Sequence, residues 1–326
     1  MFSFKIIHKQ TLTPTIKRLD ILAPEIVPRI RPGQFVMATA LPDSPRIPLT
    51  PVETDAARGM MTLIIQESDP VTKQLGGLQI NEEIFNILGP LGTPSTIEKV
   101  GIVVGIASGM GATQILPLCR AHKKIGNKVI GIIGAKTQNL LMLEAQMRLS
   151  CHKILIATND GSYMKRGLAT DLFRELSDQE NVNLVYAAGP VDMMQSVFST
   201  AREKNVPTRI TLNPPMLDGT GICGSCRVSV GGRTVLACLE GPEFDAALVD
   251  FADLKIRMGA WRQGESSCES ASRISPIVQR NPQYQSASPS NKESPECSNP
   301  KSIPSLAAKE SGTFKKFLSG ILKNKP

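Results

Sequence analysis

A chain of 326 residues with 41% hydrophobic content is long enough for two ordinary domains and more, each with a real core. Aromatic residues make up only 4%, with a single Trp, which argues against a surface that stacks nucleic-acid bases. The formal net charge of +8 demands no polyanionic partner, because half of it sits beyond residue 264, where nine Lys and Arg face five Asp and Glu.

The opening segment MFSFKIIHKQTLTPTIKRLDI contains no continuous apolar stretch of signal-peptide length. Nothing in the chain approaches the ~20 apolar residues of a membrane span, so a cytoplasmic protein with no integral membrane segment is expected. Residues 1–97 then show short β-rich runs at 2–7, 16–22, 34–40, 61–66 and 84–88, broken by Pro and Gly. Runs of this size with turn signals between them predict an antiparallel barrel or sandwich.

Between 98 and 210 the rhythm changes. Apolar runs of buried-strand type at 101–106, 129–134, 154–158 and 184–188 alternate with helical stretches at 112–124, 140–149, 168–176 and 191–204. Strand alternating with helix predicts a parallel sheet with crossover helices. Residues 211–263 are Gly- and Cys-rich and too few for a large core of their own, so a bound metal group is expected to stabilise them. From 264 to 326 Ser and Pro dominate, which predicts a disordered basic tail. Its end, FKKFLSGILKNKP, places Phe314, Phe317, Leu318, Ile321 and Leu322 on one helical face beside three lysines, an amphipathic terminal helix.

Seven cysteines do not suit a simple disulfide framework. Cys119 and Cys151 sit in apolar segments as small buried side chains, whereas Cys223, Cys226 and Cys238 cluster in LDGTGICGSCRVSVGGRTVLACLEGPEF. A Cys-x2-Cys pair followed eleven residues later by a third Cys is one ligand short of a structural zinc or a 2Fe–2S cluster. Gly219, Gly221 and Gly224 favour the cluster, because tight bends leave N–H groups to face sulfide. Zinc, or three unrelated buried cysteines, remain the alternatives. Asp218, five positions before Cys223, is the candidate fourth ligand. The resulting Asp-x4-Cys-x2-Cys…Cys run resembles the four-cysteine run of the electron-transfer subunit of dihydroorotate dehydrogenase, with aspartate in place of the first cysteine.

Upstream, RPGQFV (31–36) and PRIPLTPVE (45–53) resemble the FAD domain of the ferredoxin-reductase superfamily. That resemblance implies that Arg46 binds the FAD diphosphate, with Leu49 and Thr50 beside the flavin, and a guanidinium does match phosphate bidentately. LIIQESDPVTKQL (63–75) resembles the superfamily's second FAD segment and implicates Ile65, Gln66 and Thr72, although Asp69 stands where glycine is usual. GIASGMGATQILP (105–117) follows an apolar strand and opens a helix, a place where glycines and a helix N-terminus receive phosphate. Only Gly109 and Gly111 hold the expected glycine positions there, with Ala107 and Ser108 earlier and Ala112 after. GAKT (134–137), TNDGS (158–162) and AAGPVDMM (187–194) follow in the superfamily's order. They imply nucleotide contacts from Gly134, Ala135, Asp160, Gly189, Pro190 and Met193, with Lys136 placed to favour a 2′-phosphate.

Over residues 1–262 the chain resembles the small (alpha) subunit family of NADH-dependent reduced ferredoxin:NADP oxidoreductase, most specifically over 213–251. The resemblance implies a ferredoxin-reductase-like fold: an FAD-binding β-barrel (1–97), a Rossmann-like NAD(P)-binding α/β domain (98–210) and a 2Fe–2S module (211–263). It also implies FAD, a 2Fe–2S cluster and NAD(H) or NADP(H) as cofactors, NAD being preferred, and no protein group acting as catalytic acid or base. The implied partner is a larger glutamate-synthase-like flavoprotein with iron–sulfur clusters of its own, through which ferredoxin is reached, possible electron bifurcation included. Two alternatives stand: the electron-transfer subunit of dihydroorotate dehydrogenase, and a non-catalytic regulator that kept the fold.

Overall fold

A computed structural model describes residues 3–268, so the tail from 269 onward, with its expected amphipathic end, lies outside the described residues. The chain opens with β1 (Phe4–Thr13), β2 (Ile16–Leu22), β3 (Phe35–Thr39), β4 (Arg46–Leu49), β5 (Glu53–Asp55) and β6 (Met60–Gln66). Helix α1 (Pro70–Gly77) and strands β7 (Glu83–Ile84) and β8 (Asn86–Leu91) complete this part. The strands pair antiparallel in two sheets, β5-β6-β2-β1-β7 and β4-β3-β8. Period-two patterning sets the register: Ile6, Leu19, Ile21, Leu63 and Ile65 are fully buried, and Leu19 pairs with Leu63. The single run expected over 84–88 is two strands, because Phe85 turns outward where the chain passes from one sheet to the other.

Next come β9 (Ile102–Ser108), α2 (Gly111–Lys124), β10 (Lys128–Ala135), α3 (Glu144–Ser150), β11 (Lys153–Thr158), the short β12 (Lys165–Arg166), α4 (Ala169–Gln179), β13 (Leu184–Ala188), α5 (Val191–Glu203) and β14 (Thr208–Thr211). The helix expected over 140–149 begins only at Glu144, since Leu143 adopts a left-handed conformation (φ 56) that interrupts it. The last part contributes the hairpin β15 (Arg227–Val230) and β16 (Arg233–Leu236), then β17 (Glu243–Asp245) and helix α6 (Phe251–Cys268). Helix α6 runs past residue 264, where the sequence pattern placed the start of the tail.

The large sheet has the order β12-β11-β10-β9-β13-β14-β17. Every pair is parallel except β14–β17, so the cysteine-bearing part supplies an antiparallel edge strand to the sheet. Strands buried on both faces must be apolar throughout, and alternate residues serve opposite cores. Val104 and Ile106 of β9 pack with α4 and α5, while Val103 and Ala107 pack with α2 and α3.

The second of those cores also contains Ile16, Val52 and Ile64 from the barrel, which meet α2 directly. A polar clamp rims this contact. Arg120 on α2 donates to Val52 O and to Glu53 Oε1, both at 3.1 Å, and Glu53 Oε2 accepts from Arg18 at 3.1 Å. One carboxylate thereby bridges two guanidinium groups from two parts of the fold, and Asp20 supplies a second negative charge to Arg18. Glu53→Ala should lower stability by about 1 kcal/mol in urea unfolding, since these pairs are partly exposed. A double-mutant cycle with Arg120→Ala should return a coupling of about 0.5 kcal/mol, and strict additivity would contradict the clamp.

Candidate functional site

A cleft of about 510 Å³ opens between barrel strands β4 and β6, the first turn of α2 and the segment 213–217. Arg46, Leu49, Thr50, Ile65, Gln66 and Thr72 all line it, so two separated segments present their six flavin candidates to one surface. Its volume is that of an ordinary cofactor pocket. The walls also include Met110, Thr113 and Gln114 from α2, and Asn213, Met216 and Leu217 from the run leading to the cysteines. These residues were not foreseen. Gln114 Nε2 donates to Asn213 Oδ1 at 2.5 Å across the cleft, a pairing with no local signature because it spans 99 residues.

Arg46 stands half-buried on β4, paired with Thr39 of β3. Its Nη1 donates to the main-chain carbonyl of Asp218 at 3.1 Å, and among the described residues no carboxylate forms an ion pair with it. A guanidinium facing a cleft with donors to spare is suited to a diphosphate. Together with the apolar floor, this makes the cleft fit FAD.

Asp69, which stands where the second FAD segment usually has glycine, has a local role. It N-caps α1, accepting from Val71 N and Thr72 N at 2.9 Å, from the Thr72 hydroxyl at 2.9 Å and from Ser68 Oγ at 3.0 Å. Burial alone raises this carboxyl, but the hydrogen bonds from Thr72, Ser68 and Val71 outweigh it and hold the group below the usual carboxylate range. The carboxylate and the Thr72 hydroxyl are engaged with each other.

The nucleotide candidates gather at the C-terminal ends of β9, β10, β11 and β13. Strand order reverses at β9, with β10 on one side and β13 on the other, and such a switch point leaves a crevice above the strand ends. The glycines there have two different reasons. Gly109 has φ 55 and a Cβ there would meet nothing within 4 Å, so it faces open space at the mouth of α2. Gly111, by contrast, would place a Cβ 2.0 Å from Ala188 O, Gly189 one 2.6 Å from Met193 Cε, and Gly134 one 2.9 Å from the Ala169 Cβ. Gly111 and Gly134 are dictated by helix–strand packing, whereas Gly189, whose neighbour is the movable end of Met193, is required by its positive φ of 153. Ala112 and Ala135 are buried in the same layer. No side chain caps the N-terminus of α2, although Ala112 N and Thr113 N donate to Gly109 O and Met110 O at 3.1 and 3.0 Å, so the helix end can favour an anion chiefly through its dipole. Pro190 opens α5, while Asp160 is fixed by Ser162, whose N–H and hydroxyl donate to it at 3.0 and 2.7 Å.

The cysteine loop lies beside the barrel. Gly219, Gly221 and Gly224 all have positive φ (75, 86 and 64), and Gly219 packs where a Cβ would collide with Met37 and Leu91. The Asp218 carboxylate accepts from Thr220 N and Cys223 N, each at 2.7 Å, so it organises the turn that carries the first cysteine. Cys223 is exposed, whereas Cys226 and Cys238 are buried. Burial and the Cys226 contact push the Cys238 thiol up to about 12, while Ser225 holds Cys223 below the ordinary thiol value. Among the described residues no three His, Cys, Asp or Glu side chains already form a ligating group. The donor set nevertheless suits an iron–sulfur cluster: two soft thiols on a glycine-bent loop that begins with a carboxylate, and a third just past the β15–β16 hairpin. Cluster loading has to release the thiol protons and draw Cys223 toward the buried pair.

Comparison with known proteins agrees with this geometry. Residues 213–250 match the family described as the iron–sulfur cluster binding domain of dihydroorotate dehydrogenase B. A dihydroorotate dehydrogenase B (NAD(+)) electron transfer subunit homolog from Thermotoga maritima is 33% identical over 261 residues, covering 80% of this chain and 92% of the relative. A chain of the NADH-dependent reduced ferredoxin-NADP oxidoreductase, solved in work on flavin-based electron bifurcation, superposes with a TM-score of 0.77 at 32% identity. That match covers 82% of this chain and 96% of the other. The ferredoxin reductase of carbazole 1,9a-dioxygenase shares the fold alone, with a TM-score of 0.51 at 16% identity over 63% of this chain and 66% of that one.

The two kinds of glycine should separate on substitution. Gly111→Ala is expected to lose about 2–3 kcal/mol in urea unfolding, because backbone must move to admit the methyl group. Gly109→Ala should lose only about 1 kcal/mol, the cost of its left-handed conformation. Equal losses would contradict the distinction.

Proposed function

We infer the function of this chain from one premise: it belongs to the family of dihydroorotate dehydrogenase B-type electron transfer subunits, which includes a chain of the NADH-dependent reduced ferredoxin-NADP oxidoreductase. It is a flavoprotein oxidoreductase subunit of a heteromeric enzyme, with an FAD site, a nicotinamide-nucleotide site and a 2Fe–2S site. The assignment of regions follows: 1–97 for FAD, 98–210 for the nucleotide, 211–263 for the cluster. One observation carries the reading. The cleft lined by all six flavin candidates is closed on one side by Leu217, the residue next to Asp218.

When bound, FAD exchanges a hydride with the nicotinamide and single electrons with the cluster. The chain's own residues supply the positions. Arg46 holds the diphosphate with its free N–H groups, and Leu49, Thr50, Ile65 and Gln66 form the wall against the flavin ring. The N-terminus of α2 takes the pyrophosphate of the nucleotide, and Gly109 lets it approach. Gly189, Pro190 and Met193 shape the nicotinamide side; Gly134, Ala135 and Asp160 border the adenosine side. Asp218, Cys223, Cys226 and Cys238 hold the cluster. The one carboxylate lining the cleft among the described residues, Asp69, caps its own helix, which accords with chemistry that needs no protein acid or base. NAD is the preferred nucleotide.

The partner is a larger, glutamate-synthase-like flavoprotein, with ferredoxin served through it and bifurcation performed jointly. Leu217, Ile222 and Leu239 are exposed around Cys223, at 50%, 89% and 50%, and form an apolar rim where that partner meets the cluster. The match over 213–250 supports a second reading, with a dihydroorotate dehydrogenase as partner; Asp218 in place of a cysteine favours the first. A non-catalytic regulator that kept the fold would show departures from the superfamily's glycines, as at Ala107, Ser108 and Asp69; here Asp69 is a helix cap and Ala107 is buried within β9.

In an anaerobic visible-absorbance titration, NADH should bleach both the flavin and the cluster bands of the purified chain. A yellow-brown protein that ignores both NADH and NADPH would refute the electron path. Asp218→Cys should keep the cluster but shift its reduced-state EPR spectrum, and an unshifted spectrum would remove Asp218 from the ligand set. Ile222→Asp should weaken partner binding about tenfold or more while leaving NADH bleaching intact.

A further inference from the structure

We propose that Arg46 is a positioning residue shared by two cofactor sites, coupling flavin binding to retention of the iron–sulfur cluster. This coupling rests on the functional reading above, in which the cleft holds FAD and the cysteine loop holds the cluster. A guanidinium carries five N–H donors in a rigid, planar fork. One Nη1 donor of Arg46 is committed to Asp218 O at 3.1 Å, across 172 residues of chain. The rest of the fork lines the cleft and has no ion-pair partner among the described residues.

The bond continues beyond Asp218. The carboxylate of the same residue accepts from Cys223 N at 2.7 Å, so a line of hydrogen bonds runs from the cleft through Asp218 to the first thiol. Little else fixes this loop from the barrel side. Among the described residues, Arg46–Asp218 is the hydrogen bond joining residues 217–225 to the barrel strands, and Gly219 is seated close against Met37 and Leu91. Residues 217–225 form no helix or strand, and Leu217, Ile222 and Cys223 are exposed. An anion on the cleft side fixes the plane of the fork and, with it, the Asp218 carbonyl. Without the anion the fork is free to turn and the loop loses its anchor. Linkage makes the effect mutual: flavin slows loss of the cluster, and the cluster tightens flavin binding by the same factor.

Lysine separates the two duties. Its ammonium can still meet a phosphate, but as a point charge it cannot span from the cleft to the Asp218 carbonyl in a fixed geometry. The test measures iron release from the full-length, cluster-loaded chain to a chelator under anaerobic conditions, with and without saturating FAD. Wild type should release iron about tenfold more slowly with FAD. Arg46→Lys should bind FAD, read by fluorescence quenching, yet release iron at one rate with or without it, close to the flavin-free wild-type rate. The reduced-cluster EPR spectrum should respond to FAD in wild type and not in Arg46→Lys. Arg58→Gln, at an exposed arginine between β5 and β6 that lies outside the cleft, should behave as wild type. Inorganic pyrophosphate needs no variant: it should reproduce part of the protection in wild type.

FAD-dependent protection retained in Arg46→Lys would overturn the proposal, as would a wild type that holds both cofactors and releases iron at the same rate with and without FAD. A wild type that binds neither cofactor would overturn the functional reading and the coupling with it.

Discussion

The cysteine loop can serve a flavin only if the chain, after leaving the barrel for the parallel sheet, comes back to the barrel. A tight seam at the end of β8 enforces that return. Thr93 N donates to Gly241 O at 2.6 Å, and the Thr93 hydroxyl donates to Leu239 O at 3.0 Å. Gly92 approaches so closely that a Cβ would lie 2.8 Å from Gly241 O. Two residues on, Glu243 begins β17, which pairs with β14 at the edge of the parallel sheet. The segment carrying Cys238 is therefore fastened to the barrel on one side and to the sheet on the other.

Much of this was legible in the sequence, and the reasons are specific. Period-two patterning in β1, β2 and β6 and unbroken apolar runs in β9 and β10 reflect burial on one face or two, which any single sequence records. The cysteine spacing and its glycines carry their chemistry locally. Hidden from view were the features built by contacts distant along the chain: the Gln114–Asn213 bridge, β17 as a sheet edge, and the Arg46–Asp218 link. Asp69 shows the opposite failure. Against the second FAD segment it stood out only as a departure from glycine, whereas the Asp-Pro-x-Thr run it begins is a helix cap with a reciprocal bond to Thr72. Local capping chemistry was in the sequence all along, overshadowed by the motif.

The electrostatics divide the site into a prepared half and an unprepared half. Around the cleft, charges are already settled: Asp69 is spent on its helix, Arg46 has one donor anchored and the others free, and α2 offers an uncapped N-terminus. At the cysteine loop the cost is still outstanding, since the Cys238 thiol is raised to about 12 and Cys223 stands apart in solvent. Metal loading repays that cost by removing protons and ordering the loop in a single event. A chain of this kind is expected to gain rigidity on cluster assembly where it is least regular.

Cofactor content per chain tests most directly whether one folded unit carries both redox groups. Iron, acid-labile sulfide and flavin should be determined on the protein purified anaerobically, with zinc measured in the same sample. About two irons, about two sulfides and about one FAD per chain is the expected composition. Stoichiometric zinc without labile sulfide would contradict it, and would turn the cysteine loop into a structural metal site beside a flavin cleft with no electron partner.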